Sequence, residues 1–496
     1  MNETKSKKFY ITTAIPYVNA SPHLGHALEF VQTDVIARYH RSMGQDVLLL
    51  SGADENALKN VRAAEEAGSD VQMFVDANAD LFQELADRLN IEIGVFQKGS
   101  DREHHYPSSQ RLWELCAAAG DIYEKTYEGL YCIGCELFYD SDELNEDGEC
   151  FEHPGRKLET VSEKNHFFRL SKYQKDLIEL ISSDTLKIIP ASRKNEIMSF
   201  LNNPLQDISI SRSNARAKNW GVPVPGDDTQ RMYVWFDALN IYQSGIGFGW
   251  DEEQYKKWWP ADVHVIGKGI TRFHAIYWPA FLLSAKLPIP KGLFVHGYIT
   301  VDGQKMSKTL GNVIDPIEIV EKYGVDPVRY YLLREIPSGE DGDFSYEKFE
   351  SRYNGDLANG LGNLVARVAA LGEKISPMRA PYQLIADEQG MLNNKVLAIE
   401  KKHKEHFEDF RLNEALGDIW ELVGVVDKFV NDEKPWTKQG DGLALFTQQA
   451  AFAIDTIRKM IEPFLPETAA KIREQIMVGE KEITIKKAGN LFPRLG

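Results

Sequence analysis

Cysteine is scarce in this chain, basic charge is outweighed, and long apolar runs are missing. Four cysteines in 496 residues exclude a small disulfide-built scaffold. No apolar stretch reaches the roughly 18 residues of a membrane-spanning helix. The opening Met1-Asn2-Glu3-Thr4-Lys5-Ser6-Lys7-Lys8 is polar, with no apolar leader segment behind it, so the expected location is cytoplasmic. The 57 Lys and Arg residues face 74 Asp and Glu, a formal net charge of −17. That balance disfavours a protein held to nucleic acid by its overall field and leaves room only for local basic strips. Hydrophobic residues at 43% and charged residues at 26% are ordinary for a globular chain. The length suggests roughly two to four domains.

Residues 9 to about 118 alternate strand-like and helix-like segments. Val47-Leu48-Leu49-Leu50-Ser51-Gly52 reads as a buried strand, and 72–90 as a helix with apolar positions at helical spacing. This is the texture of a parallel α/β sheet. From about 120 to 225 the segments are short and broken by Cys, Gly and Pro, as in Gly221-Val222-Pro223-Val224-Pro225-Gly226. That marks an insertion splitting the first domain. The α/β texture resumes through Tyr233-Val234-Trp235, 263–267 and 293–301. After Asp343-Phe344-Ser345 strands are expected to stop, and 346–475 reads as helical, with loops near 376–386 and 434–442. The division expected is therefore 1–119, 120–225, 226–345 and 346–496. No internal repeat is evident.

Two short stretches far apart carry most of the chemical information. His23-Leu24-Gly25-His26 follows the apolar Phe9-Tyr10-Ile11-Thr12-Thr13-Ala14-Ile15 and leads into a helix-like run, 27–40. A strand, a tight loop and a helix start present backbone N–H groups and a favourable dipole to an anion. Lys305-Met306-Ser307-Lys308-Thr309 lies between Asp302-Gly303-Gln304 and Gly311-Asn312. Paired imidazoles and paired ammonium groups suit a polyphosphate as charge builds during phosphoryl or nucleotidyl transfer. Taken singly, a His pair opening a helix is commonly a cap, and a lysine loop is commonly just exposed.

The sparse cysteines are not scattered. Cys132-x2-Cys135 and Cys150-x2-His153 place three thiols and an imidazole in two turn-borne pairs, with Gly134, Gly148 and Gly155 to form the turns. The set matches a closed Cys3His zinc site, structural because no coordination position is left open. Disulfides or idle thiols are the plainer alternative. Cys116, in an apolar helical context, reads as a core residue.

The matches extend well beyond these motifs. The run Ile15-Pro16-Tyr17-Val18-Asn19-Ala20-Ser21-Pro22-His23-Leu24-Gly25-His26-Ala27 resembles the first signature of class I aminoacyl-tRNA synthetases, and of methionyl-tRNA synthetases specifically. So do Tyr233-Val234-Trp235-Phe236-Asp237-Ala238-Leu239, Phe294-Val295-His296-Gly297-Tyr298 with the lysine loop, the knuckle, and Asn431-Asp432-Glu433-Lys434-Pro435-Trp436. The resemblance implies an α/β fold: a Rossmann-like parallel-sheet catalytic domain with a zinc-knuckle insertion, followed by an all-α anticodon-binding bundle. It implies ATP-dependent activation of L-methionine and transfer to tRNA(Met), as used in translation initiation and elongation. His23, His26, Lys305 and Lys308 would be catalytic. ATP would meet His23, Gly25, His26, Lys305, Ser307 and Lys308, and Mg2+ would accompany it. Methionine would sit among Ile15, Tyr17, Asp54, Trp235, Leu239, Tyr242, Ile270 and His274. Asn363, Arg367 and Trp436 would read the anticodon, and Cys132, Cys135, Cys150 and His153 would hold Zn2+. A C-terminal tRNA-binding or dimerisation module, present in some relatives, is absent, so a monomer is expected.

Two places depart from that family's pattern. Gly269 follows Ile266-Gly267-Lys268 where an aspartate is usual, and Ala53-Asp54-Glu55-Asn56-Ala57 stands for the usual Thr-Asp-Glu-His-Gly. They keep a rival open: a synthetase-derived tRNA-binding or regulatory protein without charging activity. A synthetase for a larger aliphatic amino acid would need a bulky editing domain, for which 120–225 has little room. A plain adenylyltransferase would lack the helical domain. Asp54 has its own bland alternative, a helix N-cap; Trp235 and Tyr242 have ordinary core packing, Trp436 a packed helix start, and Arg367 a surface ion pair.

Overall fold

The computed structural model describes residues 7–132, 137–139, 144–150, 155, 157–306, 311–379 and 391–496. The chain forms two compact units, Met1–Thr33 with Met43–His296, and Asp34–Ser42 with Gly297–Gly496.

In the first unit, apolar runs become strands because each can be buried on both faces of a parallel sheet. β1 (Lys8–Thr12), α1 (Leu24–Ser42), β2 (Asp46–Ala53), α2 (Leu58–Glu66), α3 (Val71–Arg88), β3 (Val95–Lys98) and α4 (His105–Ala118) alternate along the chain. α3 starts cleanly because the Asp70 side chain accepts from the Met73 N–H. Then come β4 (Ile122–Cys132), β5 (Leu137–Tyr139), β6 (Glu159–Phe168), β7 (Lys187–Ile189) and β8 (Ile208–Ser209). β9 (Ser211–Ser213), β10 (Pro223–Val224) and β11 (Asp227–Met232) form a separate antiparallel sheet. β4, β5, β6 and β8 make another, in the order β5-β4-β6-β8. β12 (Val263–Gly267) and β13 (Gly292–His296) return to the main sheet, and a π-helical turn, Phe273–Tyr277, runs into α5 (Trp278–Ser284) between them.

The main sheet has six strands in the order β3-β2-β1-β12-β13-β7, every pairing parallel. Strand order reverses at β1, which pairs β2 on one side and β12 on the other. In such sheets the crevice beyond the carboxyl ends at the reversal is where ligands bind. The loop carrying His23 follows β1, and the turn Lys268–Ile270 follows β12. Position in the sheet thus brings two distant segments to one crevice.

The run expected as one strand over 293–301 is two. β13 ends at His296 and β14 (Ile299–Val301) starts after a break at Gly297, where an added Cβ would lie 2.2 Å from the backbone of Glu340. β14 pairs β15 (Gln304–Lys305) through Asp302 and Gly303, with φ of 49° and 74°, the left-handed pair that a tight hairpin needs. β16 (Gly342–Phe344) lies parallel to β14. Helices of the second unit include α6 (Val325–Arg334), α7 (Asn363–Gly372), α8 (Met391–Glu408), α9 (Leu412–Glu433), α10 (Gly440–Ile461) and α11 (Pro466–Gln475). The strands do not stop at 345 as expected. β17 (Met378–Arg379), β18 (Ile476–Val478) and β19 (Glu482–Ile485) form a small sheet, too short to leave an alternating pattern in a helix-rich stretch. Among the described residues, no helix is long and apolar enough to cross a membrane.

Among the described residues of the second unit, the Arg329–Asp34 ion pair is fully buried. Arg329 on α6 donates to Asp34 Oδ2 at 2.8 Å, and to the Phe464 and Pro463 carbonyls at 2.8 and 3.0 Å. Both charged side chains are completely shielded from solvent. Arg329→Met leaves two buried carbonyls short of a donor and Asp34 with Arg38 alone, whose Nε donates to it at 2.7 Å, a loss of about 3 kcal/mol. Urea unfolding followed by far-UV circular dichroism should show a markedly lower midpoint; an unchanged midpoint would mean that the pair carries no stability.

Candidate active site

The site is built first on the turn that opens α1. The His26 N–H donates to the His23 carbonyl at 2.9 Å, closing the first turn. The side chains then trade bonds with the backbone. His26 Nδ1 accepts from the His23 N–H at 3.1 Å, and His23 Nδ1 accepts from the Gly25 N–H at 3.1 Å. With each Nδ1 an acceptor, the neutral rings carry their protons on Nε2, on the side away from the backbone. The rings stack at 3.9 Å, and His26 meets Phe82 at 4.9 Å. Burial lowers the His23 pKa and drives that of His26 well down, helped there by His23 and His296. No acidic residue stands in the first turn of α1. The result is two uncharged Nε2–H donors at a helix N-terminus, a setting for an anion. Gly25 has a local reason too: an added Cβ would come within 3.0 Å of His23 Cε1 and push the ring away.

Behind the turn lies a pair that sequence reasoning missed. Glu29 Oε1 accepts from the Ala14 N–H at 2.9 Å, and Oε2 lies 2.9 Å from His296 Nε2. His296 stood inside a quoted run, but nothing in its spacing pointed to Glu29.

An aromatic slot follows. Trp235 stacks on Phe273 at 3.6 Å and meets Tyr17 edge-on at 6.2 Å and His274 at 6.4 Å. Leu239 and Tyr242 are buried in the same cluster, with Ile15, Tyr17 and Ile270 packed against it. His274 Nδ1 lies 2.9 Å from the Ile270 carbonyl, which can only accept, so Nε2 accepts from the Tyr242 hydroxyl at 2.8 Å. Burial pushes the His274 pKa down to about 4. The π turn sets Phe273 and His274 side by side, a local widening often found where side chains serve function. Sequence reasoning missed Phe273 and also His264, whose Nδ1 lies 2.7 Å from Thr12 Oγ1 and whose ring stacks on Tyr242 at 4.3 Å. Trp235 Nε1 and His264 Nε2 have no hydrogen-bond partner among the described residues.

Asp54 is 3% exposed and bridges Tyr17 through a parallel backbone pairing. It does not cap α2, whose N-cap is Ala57. The residue two along, Asn56, is one of the two departures from the family pattern. Asn56 Nδ2 donates to the Gly99 carbonyl at 2.7 Å and to Asp237 Oδ2 at 2.6 Å. Asp237 is fully buried and its pKa is raised by that burial, with His105 and Asn56 opposing. A neutral amide thus keeps a buried carboxyl partnered. Gly269 lies exposed in the turn Lys268–Ile270 and offers no carboxylate.

Other sequence candidates stand on other elements or lie outside the described residues. Lys305 closes β15, but its side chain is not among those described, and neither Ser307 nor Lys308 is described. Cys132 and Cys150 are buried thiols with Sγ atoms 3.2 Å apart, too far for a disulfide; Cys135 and His153 are outside the described residues. Cys116 is a core residue, its thiol pushed up to about 12 by burial. In the second unit Asn363 and Trp436 are exposed, and Arg367 is partly so.

Comparison with known proteins decides the family. A family model described as tRNA synthetases class I (M) matches residues 9–369. Methionine–tRNA ligase of Thermotoga maritima is 42% identical over 482 residues, 96% of this chain and 76% of that protein. The Brucella suis enzyme of the same name is 40% identical over 479 residues, 95% and 92% of the two chains. The chain belongs to the methionyl-tRNA synthetase family. A solved structure of Mycobacterium tuberculosis methionyl-tRNA synthetase in complex with methionyl-adenylate aligns with a TM-score of 0.92 and 37% identity, covering 98% of this chain and 100% of that one. In this methionyl-tRNA synthetase, His23 and His26 stand at the start of the first helix after the first strand of the sheet.

The His274 pKa near 4, against an ordinary 6.5, fixes the sign of a pH effect. Above 6.5 the ring is neutral whether folded or not; below it the unfolded chain takes up the proton first, so stability falls towards pH 4. The stability difference between wild type and His274→Gln should therefore narrow by up to about 1.4 kcal/mol per unit below pH 6.5. A difference constant with pH in urea titrations would mean that His274 is not held neutral.

Proposed function

We propose that the chain performs the two-step reaction of its family, making methionyl-adenylate from L-methionine and ATP and passing the methionyl group to tRNA(Met). The observation that carries this is the stacked, neutral imidazole pair at the head of α1, beside an apolar slot at the sheet's reversal. In the first step the methionine carboxylate attacks the α-phosphorus in line. A carboxyl O–P bond forms and the bond to pyrophosphate breaks. In the second, a ribose hydroxyl at the tRNA end attacks the activated carbonyl, and AMP leaves.

Most of the acceleration comes from positioning and charge stabilisation. His23 and His26 donate Nε2–H to phosphate oxygens and stay uncharged while doing so, because burial holds their pKa values down. Gly25 keeps the His23 ring in place and leaves the backbone open to the nucleotide. Lys305 and Lys308, with Ser307, hold the pyrophosphate end, and Mg2+ arrives with ATP. The thioether lies in the slot of Ile15, Trp235, Leu239, Ile270 and His274, a polarisable group among aromatic faces. Tyr17 and Tyr242 close the slot, and Asp54 takes the ammonium group. The neutral His274–Tyr242 pair suits an uncharged side chain better than a lysine- or glutamate-like one.

The knuckle fits zinc on the residues described. Its two buried Sγ atoms, 3.2 Å apart, are near enough for one ion with Zn–S bonds of about 2.3 Å to meet both. Gly148 and Gly155 take φ of 73° and 85°, the turns that two short ligand pairs need. Cys135 and His153 complete the set. The metal supplies folding energy to the insertion and takes no part in the chemistry. Anticodon bases meet Asn363, Arg367 and Trp436, where an exposed indole offers a stacking face for an unpaired base.

Amino-acid-dependent ATP–pyrophosphate exchange tests the reading: methionine alone among the twenty should support exchange. Lys308→Ala should lower exchange turnover by about 100-fold or more with little change in the KM for methionine. Exchange with none of the twenty from zinc-loaded protein would leave a non-catalytic tRNA-binding role. Protein purified without chelator should carry one zinc per chain, and Cys150→Ser should lower both zinc content and unfolding temperature. Metal below a tenth of an equivalent would remove the zinc assignment.

A further inference from the structure

We propose that Asp427 and Asn431 are positioning residues for RNA recognition, fixing the plane of the Arg367 guanidinium. The proposal rests on the anticodon role given above to Asn363, Arg367 and Trp436, and extends it to two residues with no assigned part.

Three hydrogen bonds close a ring. One terminal nitrogen of Arg367 donates to Asp427 Oδ1 at 2.7 Å, and the other donates to Asn431 Oδ1 at 2.6 Å. Asn431 Nδ2 then donates to Asp427 Oδ2 at 3.0 Å. The arrangement has one solution. A guanidinium only donates and a carboxylate only accepts, so the Asn431 amide must face oxygen to Arg367 and nitrogen to Asp427. Asp427 and Asn431 stand four apart on α9, one above the other on the same face. With both terminal nitrogens held, the guanidinium plane cannot rotate, and two of its five donors are committed to α9.

The ring contributes little to folding. Its ion pair is 29% and 40% exposed on its two sides, and pairs of that kind are worth about 0–1 kcal/mol. The two helices are anchored elsewhere, by buried Leu364, Val365 and Val368 on α7 and Val423, Val426 and Val430 on α9. What the ring does set is orientation.

The same stretch of α9 also fixes Trp436. α9 ends at Glu433, Lys434 turns left-handed with φ of 44°, and Pro435 prevents the helix from continuing. Trp436 sits on the tight turn Pro435–Thr437, pinned by the Thr437 hydroxyl and N–H on the Lys434 carbonyl at 2.8 and 2.9 Å. It remains 57% exposed. Asn431 therefore belongs to two devices at once: a covalently short, rigid path to the stacking indole, and a hydrogen bond to the fork. One base can stack while another meets donors already aimed, and a long side chain need not be ordered at the moment of binding.

The test is steady-state methionylation of a tRNA(Met) transcript by the full chain, with exchange activity and unfolding midpoint as controls. Asp427→Ala and Asn431→Ala should each raise the KM for tRNA by about ten-fold, the scale set by ordering one long side chain. Turnover, exchange and unfolding midpoint should stay at wild-type values. Asp427→Asn, which keeps one acceptor towards Arg367, should recover part of the loss. Adding Asp427→Ala to Arg367→Ala should bring no further loss, since the carboxylate acts only through the fork. If Arg367→Ala raises the KM for tRNA and the Asp427 and Asn431 variants do not, the brace is refuted while the anticodon reading stands. Additive losses in the double variant would refute it equally. Should Arg367→Ala itself charge normally, the anticodon reading fails and the brace with it.

Discussion

Keeping imidazoles uncharged in a buried crevice is the constraint on which this site depends. His23, His26, His264 and His274 all have pKa values lowered by burial. Each has a ring nitrogen held by a named neighbour, both of them in His274, which settles the tautomer for His23, His26 and His274. A protonated ring at any of these places would be desolvated without a counter-charge. The four imidazoles therefore add no positive charge to the crevice: His23 and His26 offer neutral N–H donors, and His264 and His274 stand neutral in the aromatic slot.

The departure at Asn56 obeys the same economy. Asp237 is fully buried beside His105, and a neutral donor at position 56 gives it a hydrogen bond without adding a titratable ring. The Asn56 amide reaches the Gly99 carbonyl as well, tying the end of β2 to the end of β3. Asparagine at this position leaves the buried Asp237 carboxyl with a hydrogen-bond donor.

The second unit solves a different problem. Arg329 and Asp34 hold their charges inside a packed helical body, where three acceptors satisfy one guanidinium. Arg367 holds its fork at the surface, in a ring that leaves it accessible. The same chemistry serves stability where water is excluded and orientation where water is present.

Much was legible in the residues alone. Apolar runs at β1, β2 and β12 had to become buried strands, and the helical periodicity of 72–90 matches α3, because burial and side-chain period are properties of short segments. The two signature loops and the cysteine pairs stood out as candidates for the same reason: their residue types lie in near neighbours. Tertiary structure alone decided the rest. That Phe273 stacks on Trp235, that Glu29 meets His296 and that Asp427 meets Arg367 depends on strand order and helix packing, which join residues with no pattern between them. The small sheet of β17, β18 and β19 escaped notice because its strands are too short to show alternation. The tautomers of the histidines came from the fold too, since a ring's proton is placed by the group it touches, and no sequence spacing records that.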